Sequence, residues 1–180
     1  MARTEGRRSL RALATYDADV RSVPSLGPRG EGWVALQILC LGLVVLAGRF
    51  APAETSSGVP AAASWIGGVV MLLGVAIVIA GSIELRRSEA FSVVPHPRAE
   101  GKLVETGPYR YIRNPIYAGL ILASLGWAVT RLSLVAGLAT VLLAVVLDLK
   151  RRREEGWLVE RFPGYRPYRE RTKAFVPFVY

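Results

Sequence analysis

Histidine and cysteine are nearly missing from this chain: each occurs once, as His96 and Cys40. A single cysteine excludes a disulfide framework within the chain. With one histidine beside it, no Cys/His spacing that holds a metal can be assembled. Cys40 lies inside an apolar run, where a lone thiol serves as a small buried hydrophobe. Acidic residues are also few, 14 against 23 Lys and Arg, for a formal net charge of +9. On a soluble protein that excess would suit nucleic acid, but here the basic residues flank apolar runs rather than gathering on a folded face. Nucleic acid and metal are therefore not expected as partners. Basic flanks of membrane helices, which fix topology and meet anionic lipid, account for the charge. No apolar core follows Arg3, Arg7, Arg8 and Arg11 within residues 1–30, so this stretch does not read as a secretory signal peptide. It reads as a polar basic tail, disordered by default, with Pro24, Gly27, Pro28 and Gly30 as helix breakers.

What the chain does have is apolar length. Hydrophobic residues make up 52% of it, and the mean hydropathy is +0.33. They are gathered into runs rather than amphipathic periods, and a span needs about 20 such residues. Residues 33–50 and 60–83 form the first two runs, the second without a charge. In the second, Gly67, Gly68, Gly74 and Gly81 would allow helices to approach closely in lipid. Residues 115–130 and 132–149 form two more, separated by Arg131 and its neighbours, and so predict a tight helical hairpin. The fold class is all-α: a polytopic membrane protein with about four transmembrane helices, residues 31–180 forming the membrane domain.

Positive charge sets the orientation. Residues 1–30 hold six arginines, residues 84–115 hold six Lys or Arg, and the chain from Lys150 holds nine, whereas the intervening turns hold only Arg49 and Arg131. Both termini and the second loop are therefore expected on the cytoplasmic side of the cell's inner membrane. Two polar segments, 84–114 and 150–180, then share that side and together can cover a site at the membrane surface. Charges inside the four spans are almost absent, which disfavours a transporter or channel.

Three stretches carry candidate chemistry. In LVETGPYRYIRNPIYAGL, residues 103–120, a Thr106-Gly107-Pro108 turn precedes Tyr109 and Tyr111, and Arg113, Asn114, Pro115 and Tyr117 lead into the third span. Asn before Pro predicts a helix start, whose free N–H groups suit a carboxylate. A plain juxtamembrane belt of Tyr and Arg fits the same residues. In Lys150-Arg151-Arg152-Arg153-Glu154-Glu155 the arginines fit a positive-inside anchor, but the paired glutamates within them are less expected and suit a cationic ligand. The third stretch is the tail with Phe162-Pro163-Gly164-Tyr165, Tyr168 and Pro177. His96, between Pro95 and Pro97, sits outside any helix and, like Arg113, is a secondary candidate. Asp148 reads as a helix-end residue.

The combination LVETGPYRYIRNPIYAG, a helical hairpin, a glutamate pair and FPGYRPY resembles the isoprenylcysteine carboxyl methyltransferase and phospholipid methyltransferase superfamily over roughly residues 60–180. That resemblance implies a membrane methyltransferase using S-adenosylmethionine as cofactor, bound on the cytoplasmic side. The C-terminal segment would complete the site. The matching cofactor-binding positions are Leu103, Val104, Gly107, Tyr109, Asn114, Pro115, Tyr117, Glu154 and Glu155. Arg151 or Arg152 matches an arginine that positions substrate in the isoprenylcysteine branch. That branch usually has His where this chain has Asn114, which weakens assignment to the carboxyl-methylating branch but not to the fold. Aromatic faces at Tyr109 and Tyr117 and the Glu155 carboxylate suit the cofactor's cations, and the helix start near Asn114 suits its carboxylate. The expected partners are the lipid bilayer and a lipophilic or small-molecule methyl acceptor. A carboxylate or thiolate acceptor would need no strong base; an amine or hydroxyl would. A non-catalytic scaffold or accessory protein retaining the fold is the alternative, and cofactor affinity discriminates the two.

Overall fold

The computed structural model of the protein describes residues 23–50, 59–88 and 103–176. Four long helices, α1 (Glu31–Phe50), α2 (Ala61–Arg87), α3 (Pro115–Arg131) and α4 (Leu134–Arg161), are followed by a short one, α5 (Tyr165–Arg171). A 3-10 turn, Gly107–Arg110, precedes α3. Among the described residues there is no strand, only an isolated bridge pairing Ile112 with Lys173. The all-α expectation is met. The helices α1 and α2 are long and apolar enough to cross a membrane. The others fall short for visible reasons: α3 has 17 residues, and α4 is apolar only as far as Leu149.

The helices form two close pairs, α2 with α3 and α1 with α4. Glycine sets the first. A Cβ built on Gly74 would lie 2.4 Å from Ala123 N and 2.6 Å from Gly119 O, and one on Gly67 would lie 2.6 Å from Gly126 O. Gly81 faces Pro115 and Ile116 at the other end. A spacing of seven keeps these three on one stripe of α2, so backbone meets backbone along the antiparallel pair. Gly68 is different: nothing stands within 4 Å of its Cβ position, so the expectation of close packing fails there. It sits one residue, and so about 100°, off the stripe.

The α1–α4 pair is closed by side chains. Trp33, Cys40 and Val44 of α1 are buried, as are Leu143, Val146 and Leu147 of α4, and most of them form one cluster. Arg131 ties the far end of the hairpin to α1 by donating from Nε to Gly48 O at 2.9 Å. The hairpin turns through Leu132 at φ 44, and Ser133 then caps α4, its Oγ accepting from Ala136 N at 3.2 Å. Outward faces are apolar: Trp65, Ile66, Val69 and Leu72 of α2 and Leu138 and Val141 of α4 are exposed. A surface of that kind suits lipid and not water.

Residues 23–30, grouped with the tail in the sequence, are laid against the bundle. Val23 joins the core cluster, and Trp33 Nε1 donates to Pro24 O at 3.0 Å. The breakers here shape a turn rather than disorder: Gly27 and Gly30 have positive φ, and Gly32 N donates to Leu26 O at 2.8 Å. Residues 1–22 and His96 lie outside the described residues, as does Pro177.

Gly74→Val is expected to force α2 from α3 and to cost about 1–3 kcal/mol or more, seen as a lower thermal midpoint in detergent. Gly68→Val on the same helix is expected to leave the midpoint unchanged; equal losses in both would show that the stripe does not set the contact.

Candidate functional site

The chain turns into α3 through a segment that is locally over-determined. Gly107 has φ +58, a left-handed conformation that favours glycine, and a Cβ there would meet Glu84 Oε2 at 3.2 Å. Thr106 Oγ1 donates to Glu84 Oε1, pinning the turn to the end of α2. Pro108 is the second residue of the 3-10 turn, and Tyr109 N closes it on Thr106 O at 3.1 Å. Val104 and Tyr109 are buried here, with Leu103 partly buried beside Gly164. Burial pushes the Tyr109 phenol well up, and Tyr168, Glu154 and Glu84 add to the effect. The Tyr168 hydroxyl donates to Tyr109 O at 2.7 Å, so α5 is fastened to this turn.

Pro115 occupies the first helical position of α3 behind Asn114, as the Asn-Pro pair predicts. The Asn114 side chain does not cap the helix. It is turned toward Glu155 Oε1, 3.4 Å away, and Ala174 O, 3.5 Å away. The first-turn amides of α3 therefore have no side-chain acceptor among the described residues, which suits an anion.

Glu155 is the centre of the arrangement, with 1% of its side chain exposed. Its Oε1 accepts from Arg113 Nε at 3.1 Å and from Arg151 Nη1 at 3.1 Å. Arg113 Nη1 also donates to Arg169 O at 3.0 Å and to Thr172 O, while Arg113 N and Asn114 N donate to Lys173 O and Ala174 O. One carboxylate thus joins α4, the start of α3 and the segment after α5. The sequence assigns Glu155 to a cofactor ammonium; in the fold it lies between two guanidinium groups.

Glu154, one position earlier, points elsewhere. Both its oxygens accept from the Tyr117 hydroxyl, at 2.6 and 2.7 Å. Lys150 Nζ lies 3.9 Å from Glu154 Oε1, 5.0 Å above the Tyr117 ring, and donates to Gln37 Oε1 of α1 at 2.7 Å. Burial pushes the Glu154 carboxyl up to about 7, against the pull of Lys150 and Tyr117, with Glu155 adding repulsion. Burial also draws the Lys150 ammonium down, opposed by Glu154.

Asp148 accepts from Arg151 Nη2 at 2.6 Å and from Arg152 Nε at 2.7 Å. The two arginines differ in access: Arg151 is 5% exposed at the side chain and Arg152 30%. Arg152 and Asp148 stand at the polar end of a groove of about 510 Å³, lined otherwise by Ile121, Val141, Val145 and Phe175 among others.

The fold brings Val104, Gly107, Tyr109, Asn114, Pro115, Tyr117, Glu154 and Glu155 to one end of the bundle, with Arg113 among them. Arg152 faces the groove. Sequence reasoning missed Glu84, Gln37 and Thr172, and it named Lys150 and Tyr168 only as members of the charge run and the tail, without their partners. Lys150 had a signal: it stands four residues before Glu154, on the same helical face as Leu143 and Leu147 rather than on the outer face of the charge run. Gln37, a lone amide in an apolar run, had one too.

Residues 62–164 match the phospholipid methyltransferase family. The cobalt-zinc-cadmium resistance protein CzcN of Cupriavidus metallidurans is 33% identical over 81 residues, covering 44% of this chain. This chain spans 38% of the length of that relative. No solved structure matches the chain.

Arg113→Ala removes one of the two guanidinium groups that the described residues place on the buried Glu155 and is expected to cost about 3–5 kcal/mol, measured by unfolding in detergent. Arg113→Ala with Glu155→Gln is expected to cost less than the two singles summed, since they share one contact; strictly additive losses would mean the pair is not coupled.

Proposed function

The chain belongs to the phospholipid methyltransferase family, and on that premise we propose that it transfers a methyl group from S-adenosylmethionine to an acceptor at the cytoplasmic membrane face. The family and the apolar helices make it a membrane methyltransferase in general terms. The finer reading has four spans, α3 and α4 completing the set that α1 and α2 begin. Its orientation, with both termini cytoplasmic in the inner membrane, follows the distribution of Lys and Arg.

The observation that carries the cofactor assignment is the stretch from Asn114 to Tyr117. It offers an uncapped helix start at one end and, through the Tyr117 hydroxyl, a buried carboxylate at the other. Those two features fit a ligand with a carboxylate and a nearby cation. Glu84 and Glu154 both bear on Tyr109, so the surroundings of its ring favour positive charge. Leu103, Val104, Gly107 and Pro115 would shape the walls. When bound, the cofactor supplies a methyl carbon already activated by its sulfonium. The protein's part is alignment and exclusion of water, which the buried faces of Val104 and Tyr109 provide.

Glu155 serves this reading by position. Held by Arg113 and Arg151, it fixes the register between α3 and α4, and so the distance from the helix start to Glu154. The apolar groove with Arg152 and Asp148 at its polar end suits an acceptor whose hydrocarbon part stays in the bilayer. Arg152, the more accessible of the two arginines, is the one that would position it there.

Calorimetric titration of the detergent-purified protein with S-adenosylhomocysteine is expected to show saturable binding. Tyr109→Ala is expected to lose it while retaining helical circular dichroism. A folded wild-type sample that takes up no ligand would leave a non-catalytic protein of the same fold.

A further inference from the structure

The helix α1 lies outside residues 62–164, the stretch that matches the family, yet one of its side chains reaches the polar end of the bundle. Trp33, Cys40, Val44 and Ala47 of α1 are buried, and Gln37 continues their spacing of three and four, so it stands on the stripe that packs rather than on the lipid face. Lys150 continues the Leu143 and Leu147 stripe of α4 in the same way. An amide and an ammonium thus meet where two apolar stripes meet, and Lys150 Nζ donates to Gln37 Oε1 at 2.7 Å. Lys150 itself is only 4% exposed.

The distances around Lys150 show what the contact does. Lys150 and Glu154 are four residues apart on α4, as Arg151 and Glu155 are. The arginine closes on its carboxylate at 3.1 Å, whereas the lysine stays 3.9 Å from Glu154 Oε1, beyond hydrogen-bond distance. A lysine stem is long and flexible enough to close that gap. Here the ammonium is drawn to α1 and stands 5.0 Å above the Tyr117 ring. Glu154 in turn accepts from the Tyr117 hydroxyl alone among the described residues. A carboxylate has about four acceptor positions, so one phenol leaves capacity unused. Glu154 is also the glutamate that can be approached: 16% of its side chain is exposed, against 1% for Glu155.

We propose that Gln37 is a positioning residue of the cofactor site: by accepting from Lys150 it holds the ammonium off Glu154 and leaves that carboxylate open to the amino group of the ligand's amino-acid part. The proposal rests on the methyltransferase reading and adds α1 to the site. Lys150 and Gln37 then have opposed tasks. The lysine supplies positive charge that favours the ionised form of Glu154, and the amide keeps the same charge from occupying the carboxylate. A contact serving only to join α1 to α4 would be complete with the Gln37–Lys150 bond and would not affect which ligand groups Glu154 accepts.

The test is calorimetric titration of the full chain in detergent micelles with S-adenosylhomocysteine and with its analogue lacking the α-amino group. The wild type is expected to prefer S-adenosylhomocysteine by about tenfold or more, the strength of a hydrogen bond between charged groups. Methionine keeps the length and unbranched shape of glutamine without its oxygen. In Q37M the preference is expected to fall to about twofold or less as Lys150 closes on Glu154, with the affinity of the analogue unchanged. Glutamate keeps the acceptor, so Q37E is expected to retain the wild-type preference. A displaced helix would weaken both ligands alike and leave the preference in place, so a preference that survives in Q37M overturns the proposal. So does a preference lost equally in Q37E, or a wild type that binds both ligands with the same affinity. Failure of the methyltransferase reading looks different: the wild type would then bind neither ligand.

Discussion

A carboxylate without access to water must find positive charge within the protein, and Glu155 finds it in Arg113 and Arg151. Much of this end of the bundle follows from that requirement. Because Arg113 precedes α3 directly, its position fixes where α3 begins relative to α4. Because the same guanidinium also donates to carbonyls of Arg169 and Thr172, the segment after α5 is brought alongside. The Ile112–Lys173 bridge and the backbone bonds to Lys173 and Ala174 continue the seam. Asn114, drawn into this seam, is unavailable as a cap, and the α3 start is left with open amides. A structural ion pair thereby leaves the α3 start without its side-chain cap.

Within the bundle a different constraint applies. Lipid gives helices no hydrophobic reason to associate, so close contact comes from shape. The glycines of α2 and α3 answer this by letting backbones touch, while Trp65, Val69 and Leu72 face outward. The α1–α4 pair uses Trp33, Leu143 and Leu147 instead, and is pinned at both ends by polar contacts: Lys150 to Gln37 and Arg131 to Gly48 O. One pair is rigid through small residues and the other through large ones. The polar network at the end of α4 inherits its position from both.

The two glutamates divide labour by their helical angle. Residues 151 and 155 share one face and meet the start of α3 and the C-terminal seam; residues 150 and 154 share another and meet α1 and Tyr117. Separate environments for neighbouring carboxyls are a means of giving each a different protonation behaviour. Here one lies between two guanidinium groups, and the other meets a phenol and one ammonium, with burial pushing its carboxyl up to about 7. The groove ending in Arg152 lies on a third face, toward Asp148 and Val145, so it and the Glu154–Tyr117 contact are separated around the same helix.

Apolar run length alone determined the class of this protein and the existence of its four long helices, since runs of that length have few other ways to satisfy their backbone. Asn114-Pro115 determined where α3 starts, and the glycine spacing in α2 determined which face packs, although Gly68 shows that composition without register misleads. The motif at residues 103–117 with the glutamate pair was legible as a candidate site through its resemblance to one family, and the fold brings most of its residues to one end of the bundle. Which glutamate meets charge and which meets a phenol was not legible: Glu154 and Glu155 are identical in chemistry and differ only by a rotation of about 100° about the helix axis. Nor could the chain alone show that residues 23–30 pack on the bundle, or that Gln37 and Lys150 belong together across 113 positions. Those outcomes depend on contacts between distant segments, and only the tertiary structure, by deciding which faces meet, assigns them.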